Sequence, residues 1–179
     1  TDHVRGKSVI VTGAGGGFGR LTALALAARG ARVACVDIDG PAAEATAQDA
    51  GAAIGMAADV ADAVAMKEVA ARTVEAFGAI DVLVNNAGTM PLALFADHGD
   101  ALDRWHQAID VNIKGTLNGI AAVYDQMIAQ GRGQVVNISS IYGNHPTYGA
   151  GVYGATKAAI NFMSDSLRVE ARGKIKVTV

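Results

Sequence analysis

Six short apolar runs alternate along the chain with longer stretches whose apolar residues recur every three or four positions. The runs SVIVT (8–12), RVACVD (32–37), AAIGMAAD (52–59), DVLVNN (81–86), QVVNIS (134–139) and IKVTV (175–179) are β-branched or small and apolar on both faces. Strands of that kind lie in a parallel sheet covered on both sides. The intervening periodicity predicts helices over 17–29, 41–49, 63–77, 102–129 and 152–171. In the first, Leu21, Leu24, Ala25 and Ala28 form an apolar stripe. In the long one the stripe is Trp105, Ile109, Ile113, Leu117, Ile120, Tyr124 and Met127. Pro41 suits a first helical turn. Strict alternation of strand and helix predicts an α/β fold: a doubly wound parallel sheet of the Rossmann type, three layers (α/β/α), joined by right-handed crossovers. One domain over 1–179 is expected, without repeat or linker. Loops 88–101 and 140–151 follow strands at their C-terminal ends, where ligands bind in such sheets.

Composition narrows the function classes. Half the 179 residues (51%) are hydrophobic, enough for a substantial core. The 15 basic and 17 acidic residues leave a net charge of −2, and no basic stripe interleaved with aromatics predicts a nucleic-acid surface. Cys35 is the only cysteine, so no internal disulfide and no Cys-rich zinc site exist; its apolar run predicts a buried strand thiol. His3, His98 and His106 lack metal-ligand spacing. The N-terminus is too polar for a signal peptide, and no run of eighteen apolar residues predicts a membrane span. A soluble, cytoplasmic protein is expected.

The stretch SVIVTGAGGGFGR runs strand, glycine turn, helix. Gly13, Gly17 and Gly19, with Gly15 and Gly16 between them, let the backbone turn sharply and approach phosphate oxygens. The helix that follows offers its N–H groups and positive dipole end to a pyrophosphate. GKS at 6–8 mimics the end of a P-loop, but Thr1 stands where glycine is required and the motif precedes its strand. Asp37 ends the second strand. A carboxylate there accepts the adenosine ribose hydroxyls and repels a 2′-phosphate, which predicts NAD over NADP. Asp39 competes for that role.

With these residues in hand, the chain resembles the short-chain dehydrogenase/reductase family over essentially its whole length. The matching segments are TGAGGGFG (12–19), DV (59–60) and NNAG (85–88). With them go Asn112 in the long helix, Ser140 in NISS, and Tyr153-x-x-x-Lys157 thirteen residues beyond Ser140. The resemblance implies an oxidoreductase interconverting a secondary alcohol and a ketone. Asn112, Ser140, Tyr153 and Lys157 are the implied catalytic group. Gly13, Gly15, Gly17, Phe18, Gly19, Asp37, Ile38, Asp59, Val60, Asn86, Ala87 and Gly88 would surround the dinucleotide, together with Tyr153 and Lys157. Phe18 departs from the isoleucine common there and is expected to pack under the glycine turn. Relatives run to about 250 residues in one domain. This chain stops at Val179, so a substrate lid and a last strand are expected to be missing from it.

A phenol has an ordinary pKa near 10 and is a poor base near neutrality, but a neighbouring cation favours the phenolate. Lys157 lies one helical turn beyond Tyr153 and shares its face. By resemblance it also holds the nicotinamide ribose. Ser140 would donate a hydrogen bond to the substrate oxygen, although Ser139 is its neighbour and a strand-end serine can be a simple turn residue. Asn112 is either a surface residue or, by resemblance, holds through its carbonyl a water linked to Lys157. Asp59 and Val60 would flank the adenine, unless Asp59 caps the helix near Ala63. Substrate contacts are expected from Ser140, Tyr142, His145 and Tyr148, with Thr89, Met90, Leu92 and Ile141 on the same two loops. The partner is a small alcohol or ketone. Apolar excess on helices 102–129 and 152–171 predicts a homo-oligomer, a dimer or tetramer. Two alternatives remain open. One is an NAD-retaining epimerase or dehydratase, whose glycine spacing Gly13, Gly16 and Gly19 also fit and against which NNAG weighs. The other is a non-catalytic NAD(H)-binding module.

Overall fold

The computed structural model describes residues 3–51 and 53–179. Ala52, the first residue of the predicted third strand, lies outside the described residues, as do Thr1 and Asp2. Six parallel strands form one sheet in the order β3-β2-β1-β4-β5-β6. They are β1 (Ser8–Thr12), β2 (Arg32–Asp37), β3 (Ala53–Ala57), β4 (Val82–Asn85), β5 (Gly133–Asn137) and β6 (Ile175–Thr178). The helices are α1 (Gly17–Ala28), α2 (Gly40–Ala50), α3 (Ala63–Phe77), α4 (His98–Ala108), α5 (Gly115–Gln130) and α6 (Gly151–Glu170). The predicted doubly wound α/β fold is therefore the observed one. The strand order reverses between β1 and β4, which opens the crevice where ligands bind in such sheets.

Strand periodicity splits the core in two. Ile10, Ala34, Val36, Leu83 and Val135 face one way and pack with Val69, Val123, Met127 and Leu167 of α3, α5 and α6. Val9, Val11, Val33, Cys35 and Val84 face the other way and pack with Ala23 and Ala47 of α1 and α2. The second face is open beyond α1. There a groove of about 810 Å³ runs over Val82, Val84, Val136 and Ile138 and is edged by Phe18 and Leu26. Cys35 is fully buried, and burial with a smaller push from Glu44 raises its thiol pKa to about 11.

Two apolar stripes sit differently from their prediction. On α1 the buried positions are Gly19 and Ala23, flanked by half-buried Leu26 and Ala27, while Leu21, Ala25 and Ala28 face outward. The helix approaches β1 so closely that small residues are selected: a Cβ on Gly19 would overlap the Gly13 carbonyl. The long helix starts at His98, preceded by a 3-10 turn (Phe95–Asp97) that packs Phe95 against Trp105 at 5.5 Å. It is interrupted by a π-helical segment, Ile109–Lys114. That wider turn shifts the register. Ala101, Trp105, Ala108, Asn112, Thr116, Gly119, Val123 and Met127 are buried, and Ile109 and Leu117 are exposed.

Candidate active site

β1 hands the chain to α1 through the glycine turn. Gly13 and Gly17 take positive φ values of 67° and 50°. Gly13 also lies so near Asn86 and Ala87 that a Cβ would meet Ala87 Cα at 3.0 Å. The space around Gly16 and Gly17 is open. Asp39 caps α2 by accepting from Ala42 N at 3.0 Å, and Asp62 caps α3 by accepting from Val64 N and Ala65 N. By contrast, α1 begins at Gly16 with no side-chain cap. The first turn of α1 thus lacks a capping side chain and opens on glycine-walled space, and its N–H donors fit a pyrophosphate.

Asp37 folds back onto this turn. Its Oδ2 accepts from Gly15 N at 2.9 Å and its Oδ1 from Asp39 N at 3.0 Å. With Asp39 occupied as a helix cap, the carboxylate beside the turn is that of Asp37. Ile38 is exposed next to it. Phe18 does not pack under the turn: it is 83% exposed, because the face of α1 that meets β1 has room only for Gly19 and Ala23. Asp59 does not cap α3. It closes its own turn by accepting from Ala61 N at 2.9 Å. Val60 is buried against Gly115, and its carbonyl accepts from Asn118 Nδ2.

The segment after β4 is pinned by a residue whose role the sequence reading left unassigned. Thr12 Oγ1 accepts from the backbone N–H groups of Asn86 (3.0 Å) and Ala87 (3.1 Å), while the Asn86 side-chain amide donates to the Thr12 carbonyl at 2.9 Å. The glycine turn and the Asn86–Ala87–Gly88 segment are thereby one unit. A Cβ on Gly88 would lie 3.2 Å from Asn112 Oδ1 and 3.6 Å from Lys157 Nζ, so glycine there lets three elements converge.

Tyr153 and Lys157 are both buried on α6. Lys157 Nζ donates to Ile138 O at 2.7 Å and lies 5.8 Å from the centre of the Tyr153 ring. Burial holds the Lys157 pKa below the ordinary lysine value. Tyr142 meets Tyr153 edge-on at 6.1 Å. Ser140 follows β5 and accepts from Tyr142 N at 3.2 Å, which caps the 3-10 turn Ile141–Gly143 and leaves its hydroxyl proton to be donated. Ser139 instead donates its hydroxyl to the Lys157 carbonyl at 3.2 Å.

Asn112 is not a surface residue: it is fully buried. Its carbonyl accepts from Thr116 Oγ1 at 2.8 Å. Its side chain accepts from Thr89 N and donates to Thr89 O, both at 2.9 Å, and donates to Thr156 Oγ1 at 2.9 Å. A second buried network, Asn85 to Asn137 to Ser164, ties β4 and β5 to α6 with bonds of 2.8 Å. The signal for both networks was asparagine, threonine and serine at positions whose neighbours are core residues. Of the expected substrate contacts, Tyr142 lies against the Tyr153 ring. His145 and Tyr148 are exposed and line a groove with Tyr142, Leu94, Phe95 and Ala155. Thr89 is held by Asn112, and Met90 and Leu92 are exposed.

Comparison with known proteins gives a consistent picture. Residues 7–179 match the family model described as short chain dehydrogenase. An uncharacterized oxidoreductase of Listeria monocytogenes is 37% identical over 172 residues, covering 94% of this chain and 68% of the relative. Sorbitol dehydrogenase of Cereibacter sphaeroides is 39% identical over 163 residues, covering 90% of this chain and 63% of the enzyme. Among solved structures, a short chain dehydrogenase/reductase from Burkholderia phymatum in complex with NAD superposes with a TM-score of 0.91 at 28% identity. It matches 97% of this chain and 64% of its own. NAD+-bound xylitol dehydrogenase gives a TM-score of 0.91 at 30% identity, matching 99% and 69%. The chain thus spans about two thirds of the length of these proteins.

Proposed function

The chain belongs to the short-chain dehydrogenase family, and from that premise we propose that it interconverts a secondary alcohol and a ketone with NAD, using Tyr153 as the proton carrier. The observation that carries this reading is the buried Lys157 ammonium. It is fixed by Ile138 O at one end of the crevice, beside the Tyr153 ring and behind Gly88.

The bound nicotinamide supplies or accepts the hydride. In the oxidising direction, Tyr153 Oη takes the substrate hydroxyl proton as the carbinol C–H electron pair leaves with its hydrogen. In the reducing direction the same oxygen returns the proton to the carbonyl oxygen. The Lys157 ammonium stands 5.8 Å from the centre of the Tyr153 ring. Its remaining N–H donors suit ribose hydroxyls. Ser140 keeps a hydroxyl proton to donate to the substrate oxygen, whereas Ser139 has committed its own to Lys157 O. The Asn112 carbonyl accepts from Thr116 Oγ1, and in this reading it also holds a water on the way to Lys157.

The α1 cradle with Gly13, Gly15, Gly17 and Gly19 takes the pyrophosphate, and Asp37 takes the adenosine ribose. A carboxylate at that point repels a 2′-phosphate, which supports NAD over NADP. Exposed Ile109 and Leu117 on the long helix and Phe162 and Val169 on α6 support a homo-oligomer.

The test is absorbance at 340 nm with the purified protein, NAD or NADP, and a panel of secondary alcohols. NADH formation that outpaces NADPH formation is expected. Cofactor that copurifies without net reduction would favour an epimerase or dehydratase. Binding without turnover of any substrate would favour a non-catalytic module. Either outcome overturns the proposal.

A further inference from the structure

Thr156 lies between Tyr153 and Lys157 on α6 and is 1% exposed. Its hydroxyl nevertheless has two specific partners. It donates to the Tyr153 carbonyl at 2.7 Å and accepts from Asn112 Nδ2 at 2.9 Å. Asn112 in turn holds both the N–H and the C=O of Thr89. A continuous chain of hydrogen bonds therefore runs from the Tyr153 backbone through Thr156 and the π-helical segment to the loop that follows Gly88.

The direction of each bond fixes the others. With its proton given to Tyr153 O, Thr156 Oγ1 can only accept from its other partner. The Asn112 amide must then present Nδ2 to Thr156, which leaves Oδ1 for Thr89 N. The second Nδ2 proton reaches Thr89 O. All four Asn112 and Thr89 groups are satisfied by this one orientation, and the reversed amide would oppose Oδ1 to the Thr89 carbonyl. The same Oδ1 stands at the edge of the Gly88 site, beside Lys157.

We propose that Thr156 is a positioning residue. Its hydroxyl ties the Asn112 amide, already oriented by Thr89, to α6 and so clamps the Gly88–Thr89 backbone against the Tyr153 and Lys157 face of that helix. This rests on Tyr153 being the proton carrier. Loss of the hydroxyl unties the Asn112 amide and the Thr89 backbone it holds from α6, and lets the Gly88–Thr89 loop drift from that helix. Reacting groups misplaced by a fraction of an ångström lose rate more than affinity.

Thr156→Val, Thr156→Ala, Thr156→Ser and Tyr153→Phe are compared for kcat, for KM and for amide exchange at Thr89. Removing the hydroxyl should lower kcat by about tenfold to a hundredfold with KM for the cofactor nearly unchanged. It should also speed Thr89 exchange about tenfold. Thr156→Ser should restore both. Thr156→Ala gives the same reading should the valine variant fail to fold. A kcat within about twofold of wild type for the folded Val or Ala variant, or a serine variant no better than they are, overturns the role of Thr156. Tyr153→Phe separates the two failures. A wild-type rate there refutes the proton carrier and Thr156 with it. An inactive Tyr153→Phe beside a fully active Thr156→Ala refutes Thr156 alone.

Discussion

Replacing Thr12 by valine should destabilise the protein more than replacing it by serine, although valine is the more apolar residue and the site is 1% exposed. Valine keeps the branched shape and leaves no cavity. It removes the acceptor of the Ala87 N–H at 3.1 Å and one of two acceptors of the Asn86 N–H, which keeps Val84 O at 3.1 Å. A buried donor left without a partner costs about 1–3 kcal/mol. Ala87 is half-buried and Asn86 keeps its second acceptor, so the sum is about 2 kcal/mol. Serine keeps the hydroxyl and gives up one methyl group, about 1 kcal/mol with its small cavity. Urea unfolding followed by circular dichroism reads the difference. With a slope of about 2 kcal/mol per molar urea, the valine midpoint should fall by about 1 M and the serine midpoint by about 0.5 M. A valine variant as stable as the serine variant would show that Thr12 packs as a hydrophobe and that the segment after β4 is not held by its oxygen.

Lys157→Met should raise thermal stability while abolishing turnover. Burial lowers the Lys157 pKa, so the folded state carries the cost of the charge below that pKa, and stability rises with pH between the folded value and the unfolded value near 10.4. The methionine variant should gain on the order of 1 kcal/mol at neutral pH and lose the alkaline rise, as seen in melts across pH. At the opposite end of the sheet, burial alone would raise the Asp81 pKa. The Ser8 N–H, with Arg132 and Lys7, outweighs burial and holds it below the usual carboxylate value. That stability is present above about pH 4 and lost as pH falls through the folded value. Acid melts of Asp81→Asn should accordingly be flatter than those of wild type. Light scattering at micromolar concentration should give a dimer or tetramer; a strict monomer would refute the assignment of Ile109, Leu117, Phe162 and Val169 to an interface.

Strands with apolar residues on both faces, and the glycine turn between β1 and α1, were legible because each rests on local chemistry: β-branched runs and positive φ. What periodicity misread was the helix faces. On α1 the leucines are the larger hydrophobes, yet contact with β1 is decided by distance, and only Gly19 and Ala23 fit. On the long helix a regular 3.6-residue repeat was assumed, and the π-helical segment around Asn112 breaks it. The same segment explains why an asparagine that looked suited to solvent is fully buried. Its partners, Thr89 and Thr156, are 23 and 44 residues away in sequence, beyond the reach of any local pattern. Of the site itself, the approach of Lys157 to Tyr153 was legible from one helical turn, but the partner that fixes it, Ile138 O, comes from another element. His145 and Tyr148 were read from loop membership alone, and they line a groove together with Tyr142.

Whether Tyr153 carries the proton is tested most directly by turnover of Tyr153→Phe, with NADH binding measured by fluorescence on the same sample. The rate should fall by about a hundredfold or more while NADH affinity stays within about threefold of wild type. A phenylalanine variant that binds NADH and keeps more than about a tenth of the wild-type rate would contradict a proton-transfer role for the Tyr153 hydroxyl.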